Sequence, residues 1–197
     1  MIIPSIALLL YDIFFGHVTP ATHAEAACKA LSASHPDQVF NESSSGNSTG
    51  AKYYLEATQD YWSQVNADIK PACVFLPTSE QEVSFAVKVL NKYDRAPWAV
   101  KGGGHNQNPG FSSTAGGVLL AFYGSMATTA LSSDMLAHVR PGCRWSDVFD
   151  VLDPHNLSVV SGRLGAAGVA GVTLGGGLSF LSTAHVSSIS VVATLSF

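Results

Sequence analysis

Apolar residues follow strand and helix spacings in turn through the central part of the chain. Residues 73–76 form a short apolar run that Pro77 ends, and this pattern predicts a strand. Apolar positions over 83–90 then recur at three- and four-residue intervals, which predicts one face of a helix. A capping box built on Thr78 or on Ser79 would begin that helix.

The same spacings predict further elements on both sides of this region. The predicted strands cover residues 99–101, 117–122, 135–139 and 157–160. The third strand is predicted from the alternation of Met135, Ala137 and Val139 with polar or bulkier neighbours. Helical spacing over 145–152 predicts a second helix that Pro154 stops. Since strands and helices alternate, we expect a mixed arrangement of short elements.

The N-terminus has the features of a secretory signal peptide. An apolar run that Asp12 interrupts is followed by Ala24-Glu25-Ala26, a small-x-small tripeptide typical of cleavage sites, so residues 1–26 are predicted to be a signal. The run is far shorter than the roughly 20 apolar residues that a bilayer requires, and no membrane span is expected. Three glycosylation sequons fit secretion, and they begin at Asn41, Asn47 and Asn156.

Composition narrows the class of protein. Hydrophobic residues make up 47% of the 197 residues and charged residues 12%, which is enough apolar material for a core. The net charge is −4 without a basic run, so a nucleic-acid partner is not expected. Cys28, Cys73 and Cys143 allow one disulfide and one free thiol. No spacing of histidines and cysteines matches a zinc site, and no metal is predicted.

Two glycine-rich segments are the candidate binding elements. Gly102, Gly103 and Gly104 lead from the strand at 99–101 into His105, and a second segment covers 162–177. Glycine permits tight turns and lets backbone N–H groups approach an anion closely. A histidine after such a turn would present a nucleophilic ring nitrogen. The alternative interpretation is two ordinary turns, with His105 hydrogen-bonded to nearby backbone.

The glycine spacings do not match the common phosphate-binding motifs. Gln107 occupies the position of the last glycine in a dinucleotide fingerprint that begins at Gly102, and no glycine precedes a lysine as in a Walker loop. Ser179 follows a G-x-S pattern that lacks the closing glycine of a nucleophile elbow. A serine hydrolase that uses Ser179 is therefore only a distant alternative.

Several motifs in order resemble one flavoprotein family. They are PACVFLPT, AVKGGGHNQNPGFSSTAGGVLLAF, VRPGCRWSDVFDVL and SGRLGAAGVAGVTLGGGLSFLS. Together they resemble the FAD-binding PCMH-type domain of berberine-bridge-enzyme-like oxidoreductases, in the vanillyl-alcohol-oxidase superfamily, and most closely the secreted fungal type. The resemblance covers about residues 28–182. It implies an α+β fold of two subdomains, one over about 71–122 and one beginning near Met135, with FAD held between them.

The resemblance also implies roles for particular residues. His105 would carry the flavin covalently through its 8α-methyl carbon, and Cys28 would pair with Cys73. The cofactor would be surrounded by Gly102, Gly103, Gly104 and Asn106 in the first segment and by Gly168, Gly171, Thr173, Gly175, Gly176 and Gly177 in the second, where backbone N–H groups would hold the pyrophosphate.

The sequence departs from the family pattern at several positions. Arg163 stands where some relatives have a second flavin-linking cysteine, so a second covalent bond is not expected. Ala170 replaces an expected glycine. We expect Cys143 to be a plain buried side chain. After Ser182 the family's usual continuation is not recognisable.

These features predict the organisation and activity of the chain. A segment over 27–70 would precede a C-terminally incomplete FAD-binding domain over 71–197, without the substrate domain that supplies the family's catalytic bases. The expected function is that of a secreted FAD-dependent oxidase that transfers hydride from a small organic substrate to flavin and then to oxygen. The alternative is a non-catalytic flavoprotein remnant.

Overall fold

The computed structural model describes residues 19–43 and 48–185. The described helices are α1 (Pro20–Ser34), α2 (Ser48–Gln59), α3 (Gln64–Asp68), α4 (Glu80–Lys92), α5 (Trp145–Leu152), α6 (Val169–Leu174) and α7 (Ser182–His185). The described strands are β1 (Val39–Phe40), β2 (Cys73–Phe75), β3 (Trp98–Lys101), β4 (Val118–Ala121), β5 (Thr129–Leu131) and β6 (Ala137–Val139). None of the helices described is both long and apolar enough to cross a bilayer.

Four of the strands form one sheet in the order β1-β2-β4-β3. β2 and β3 both run parallel to β4, and Val74 and Ala99 lie on either side of Leu119. β1 pairs antiparallel with β2 at the edge. All four residues of β4 are buried, which explains why its sequence is continuously apolar. The strands predicted at 73–76, 99–101 and 117–122 are confirmed.

Helices α1 and α4 pack on one face of this sheet. Ala27 and Leu31 of α1 are fully buried in a core with Phe75. The Cys28–Cys73 disulfide ties α1 to β2, as the resemblance implied. Helix α4 begins at Ser79, whose Oγ accepts from the Glu82 N–H at 3.3 Å. The predicted helix over 83–90 is therefore confirmed.

The predicted signal peptide overlaps α1. Residues 1–18 lie outside the described residues, and so does the Asn47 sequon. Thr19 caps α1 through a hydrogen bond from the Thr22 N–H to its Oγ1. The predicted cleavage tripeptide lies within the helix, and Ala24 is fully buried. Cleavage after Ala26 would therefore remove a core residue.

Helix α2 packs on the opposite face of the sheet. Its Tyr54 and Ala57 are buried against Val74, Leu119 and Ala121. This packing brings the C-terminal end of α2 beside the C-terminal end of β3, where the first glycine segment begins.

The second subdomain consists of the β5–β6 hairpin and α5. Thr129 pairs with Val139, and Trp145, Val148 and Leu152 of α5 are buried. The predicted helix over 145–152 is confirmed. With two mixed groups of helices and strands, the α+β prediction is confirmed as well.

Three local predictions are wrong. Met135 is not in a strand, because the hairpin reverses there: its φ is 66° and it is 59% exposed. Residues 157–160 form no strand, and the Leu157 N–H instead donates to the Leu152 carbonyl at the end of α5. The segment over 162–177 is not a continuous loop, because α6 forms within it.

Candidate functional site

The first glycine turn follows β3 at the carboxyl end of the parallel strands. Gly104 has a φ of +65°, and a Cβ there would meet the Asp60 carbonyl oxygen at 2.8 Å. A side chain at this position would thus be both strained and obstructed. The turn passes directly under the residues that follow α2.

The structure brings the two glycine segments together. A Cβ added to Gly103 would lie 2.4 Å from the Gly168 backbone nitrogen, and one added to Gly168 would lie 2.5 Å from the Gly103 nitrogen. Backbone hydrogen bonds from Val169 to Cys143 and from Trp145 to Ala167 fix the second segment beside α5. The contact between the segments requires residues without side chains on both sides.

His105 leaves the turn beside an open cleft. Its ring is partly buried and stacks on the Trp62 indole, with centroids 5.6 Å apart and planes at 27°. Within the described part of the chain, no hydrogen bond occupies either imidazole nitrogen. The cleft has a volume of about 350 Å³, and its lining residues are Trp62, His105, Asn106, Gln107 and Asn108. The imidazole is therefore accessible to a ligand.

Asn106 shapes the loop that follows His105. Its Oδ1 accepts from the Asn108 N–H at 2.9 Å, and its carbonyl accepts from Asn66 Nδ2 at 2.9 Å. Asn66 is fully buried, and its Oδ1 accepts from Ser113 Oγ at 2.7 Å. The Ser113 oxygen in turn accepts from the Gly110 N–H. This chain of hydrogen bonds fixes both ends of the loop.

Lys101 anchors the strand that leads into the turn, and its side chain is fully buried. Its Nζ donates to the carbonyls of Ala57 at 2.9 Å and Glu56 at 3.3 Å, and to Tyr123 Oη at 2.9 Å. The ammonium also lies 4.2 Å from the centroid of the Tyr61 ring. Burial lowers the pKa of Lys101 to about 8. The side chain joins the end of α2 to the base of the glycine turn.

Arg144 connects the second subdomain to the same turn. Its Nη2 lies 2.8 Å from both carboxylate oxygens of Asp60 and donates to the Gly103 carbonyl at 3.2 Å. Both side chains are partly exposed, so the ion pair alone contributes at most about 1 kcal/mol. The Arg144 guanidinium also fixes the position of the turn, because it contacts both Asp60 after α2 and the Gly103 carbonyl.

The second glycine segment surrounds α6 and has a cleft of its own. Gly175, Gly176 and Gly177 donate their N–H groups to the α6 carbonyls of Gly171, Thr173 and Val172. These bonds end the helix. Gly171 differs, because it is exposed and a Cβ there would meet nothing within 4 Å. The cleft has a volume of about 310 Å³, and its lining residues are Gly162, Arg163, Leu164, Ala167, Gly171, Val172, Gly175, Gly177 and Leu178.

These surfaces fit a dinucleotide cofactor. Close to Gly171 the absence of a Cβ leaves room for a ligand to approach the backbone. Arg163, in the same cleft, offers a charge that suits a phosphate. Leu164, Val172 and Leu178 provide an apolar wall. The cleft beside His105 adds an imidazole with a free nitrogen.

Ser179 and Cys143 occupy ordinary structural positions. Ser179 is 9% exposed, and its Oγ accepts from the Leu181 N–H at 3.2 Å. Cys143 is buried, and this burial raises the pKa of its thiol. The thiol is therefore protonated and unreactive at neutral pH. Among the residues that the structure describes, no cluster of potential metal ligands is present.

Sequence reasoning identified His105 and the glycines but missed the side chains that hold them. Trp62, Asn66, Lys101 and Arg144 carry no local signal of this role, because their partners lie far away along the chain. Asn66 is 40 residues from Asn106, and Arg144 is 84 residues from Asp60.

Comparisons with known proteins identify the family of the chain. Residues 71–196 match the FAD binding domain family. The chain is 37% identical over 178 residues to the FAD-dependent monooxygenase prx3 of Penicillium roqueforti, covering 86% of this chain and 32% of that protein.

Solved structures with the same fold include two flavoprotein oxidases. The first is 6-hydroxy-D-nicotine oxidase of Arthrobacter nicotinovorans, with a TM-score of 0.65, 21% identity and coverage of 78% of this chain and 31% of that one. The second is the glucooligosaccharide oxidase of Acremonium strictum, described with a 6-S-cysteinyl, 8α-N1-histidyl FAD, with a TM-score of 0.63, 23% identity and coverage of 83% and 32%.

This chain spans about a third of the length of each of these proteins. The family match, in contrast, covers more than half of this chain. The chain therefore belongs to the FAD binding domain family.

Proposed function

We propose that this chain holds the FAD of a flavin-dependent oxidoreductase and that His105 attaches the flavin covalently. The observation that carries the proposal is the backbone contact between Gly103 and Gly168, which joins the His105 turn to the second glycine segment. One elongated cofactor would thus reach both clefts. The histidyl-linked FAD of the glucooligosaccharide oxidase, a protein of the same fold, supports the covalent bond.

Each part of the site has a distinct role in this proposal. His105 offers a ring nitrogen to the 8α-methyl carbon of the flavin, while the open backbone at Gly171 and the charge of Arg163 receive the phosphates. Asn66 and Lys101 keep the His105 turn fixed. Because a covalent bond keeps FAD on the protein, the translational and rotational entropy of FAD is lost once, at attachment, and not at every binding event.

The bound flavin would supply redox chemistry, accepting hydride from a small organic substrate and passing electrons to oxygen. The described residues of this chain would orient the cofactor. Alcohols, sugars and intermediates of secondary metabolism are the candidate substrate classes.

The experiment is an absorption spectrum of the purified chain before and after acid precipitation. We expect visible flavin bands that remain with the pellet in the wild type. His105→Ala should release any flavin into the supernatant, whereas His138→Ala, which removes an exposed histidine on β6, should retain it. A His105→Ala pellet that stays yellow would refute the covalent bond, and a colourless wild type would refute FAD binding by this chain.

We also propose that the protein is secreted and glycosylated. The Cys28–Cys73 disulfide supports this proposal, because such bonds persist in oxidising compartments. Asn41 and Asn156, which begin two of the sequons, are both exposed, and Asn156 lies in a left-handed turn after α5.

A further inference from the structure

The connection from α2 into α3, taken here as residues 60–66 to include the first turn of α3, lies across the His105 turn. The Trp62 N–H donates to the Gly104 carbonyl at 3.1 Å. On one side Tyr61 Oη donates to the Ser112 carbonyl at 2.6 Å. On the other side Asn66 Nδ2 donates to the Asn106 carbonyl. This connection precedes residue 71, where the family match begins, yet it forms one wall of the candidate site.

Trp62 is the residue of this wall that touches the His105 ring. Trp62 is 63% exposed, so its indole lies at the mouth of the cleft and not in the core. Within the described residues, the Trp62 ring stacks on the His105 ring. The backbone bond to Gly104 and the flanking bonds of Tyr61 and Asn66 fix the backbone that carries the indole, independently of that stack.

We propose that Trp62 is a positioning residue for flavin attachment at His105, an inference that rests on the proposed function. The indole covers one face of the imidazole and so limits rotation of the ring. A ring nitrogen is then presented to the cleft in one orientation instead of several, and a fixed orientation accelerates bond formation between two bound groups.

The attachment that Trp62 would favour is a two-electron oxidation with dioxygen as the oxidant. An imidazole nitrogen of His105 would form a bond to the 8α carbon, and the imidazole N–H and one C–H of the methyl group would be broken. The two hydrogens, with two electrons, would be taken up by dioxygen, which would be reduced to hydrogen peroxide. Trp62 takes no part in these transfers.

The test follows covalent attachment over time in the full chain. Each protein is produced without flavin and mixed with FAD in aerated buffer, and protein-bound flavin is measured after acid precipitation. Trp62→Ala should slow attachment by roughly fivefold, as expected from loss of one aromatic stack. Trp62→Phe should restore most of the rate. Trp98→Ala, which removes another exposed tryptophan from β3, should attach flavin at the wild-type rate.

The possible outcomes separate this inference from the proposed function. If the wild type attaches no flavin, the proposed function fails. If the wild type and Trp62→Ala attach flavin equally fast, the proposed function stands and the role of Trp62 is refuted. Non-covalent FAD binding and the unfolding temperature are measured in parallel. A further outcome is that the attachment rate of Trp62→Ala falls only as far as its FAD affinity and its unfolding temperature fall. That result would also refute a positioning role, because a general loss of structure would then explain the slower attachment.

Discussion

The buried ammonium of Lys101 should make the free energy of unfolding rise with pH. Burial lowers the pKa from its ordinary 10.5 to about 8. The unfolded chain therefore binds this proton more tightly than the folded protein does. Below pH 8 the folded state bears the full cost of the buried charge, and the cost disappears as the pH rises towards 10.5. Lys101 should thus favour folding increasingly across this window.

The magnitude follows from the same shift. One pKa unit corresponds to about 1.4 kcal/mol, so the full cost is roughly 3 kcal/mol. Between pH 7.5 and 9.5 about 2 kcal/mol of it should be relieved. Burial also raises the pKa of Tyr61 and Tyr123, which would lower stability above about pH 10. Measurements should therefore stop at pH 9.5.

The assay compares the wild type with Lys101→Met by urea denaturation, followed by circular dichroism, at several pH values. The difference in free energy of unfolding should move by about 2 kcal/mol in favour of the wild type between pH 7.5 and 9.5. Lys88→Met, which removes an exposed ammonium from α4, shows the effect of net charge alone. A Lys101 difference that stays flat or moves in the opposite direction would refute the reasoning.

Two further predictions concern the glycines and the disulfide. Gly103→Ala would place a methyl group 2.4 Å from the Gly168 nitrogen, so the free energy of unfolding should fall by about 2 kcal/mol or more in urea denaturation. Gly171→Ala, in α6 and with open space around it, should instead raise the free energy of unfolding by about 0.5–1 kcal/mol. The same variant should bind FAD more weakly in a fluorimetric titration. Equal decreases in the free energy of unfolding of the two variants would contradict these assignments. The Cys28–Cys73 bond joins residues 45 apart, and its removal in Cys28→Ser/Cys73→Ser should lower the free energy of unfolding by about 4 kcal/mol. An unchanged urea midpoint would argue against a stabilising role for the disulfide.

Elements with strong local patterns were predictable from the sequence. The β4 strand is buried on both faces, so its run of apolar residues is unambiguous. Helix α4 has both a cap and a regular apolar face. Residues 157–160 show why such patterns also mislead: the run is apolar, but its backbone bonds to the end of α5 instead of to a strand. A periodic apolar pattern indicates which residues are buried. It does not indicate which groups their backbone N–H and C=O will hydrogen-bond.

The sequence predicted the candidate site only through its two glycine-rich segments and the histidine that follows the first of them. Gly103 and Gly168 were each found from sequence, yet their contact depends on how β3 and α5 are placed in space. The same holds for the stack of Trp62 on His105, which joins two loops. The resemblance to a family supplied the cofactor, while the supporting side chains required the structure.

The connection over residues 60–66 bears on how this domain can be divided for recombinant work. A fragment that begins at residue 71, where the family match begins, would contain His105 and the glycines of both glycine-rich segments. It would nevertheless lack the α2 carbonyls that Lys101 binds, as well as Trp62 and Asn66. The Lys101 ammonium at the base of the cofactor turn would then lose two of the three acceptors described above. The segment that contains the family motifs is thus shorter than the segment needed to support them. A recombinant fragment should therefore include α2 and the residues that follow it.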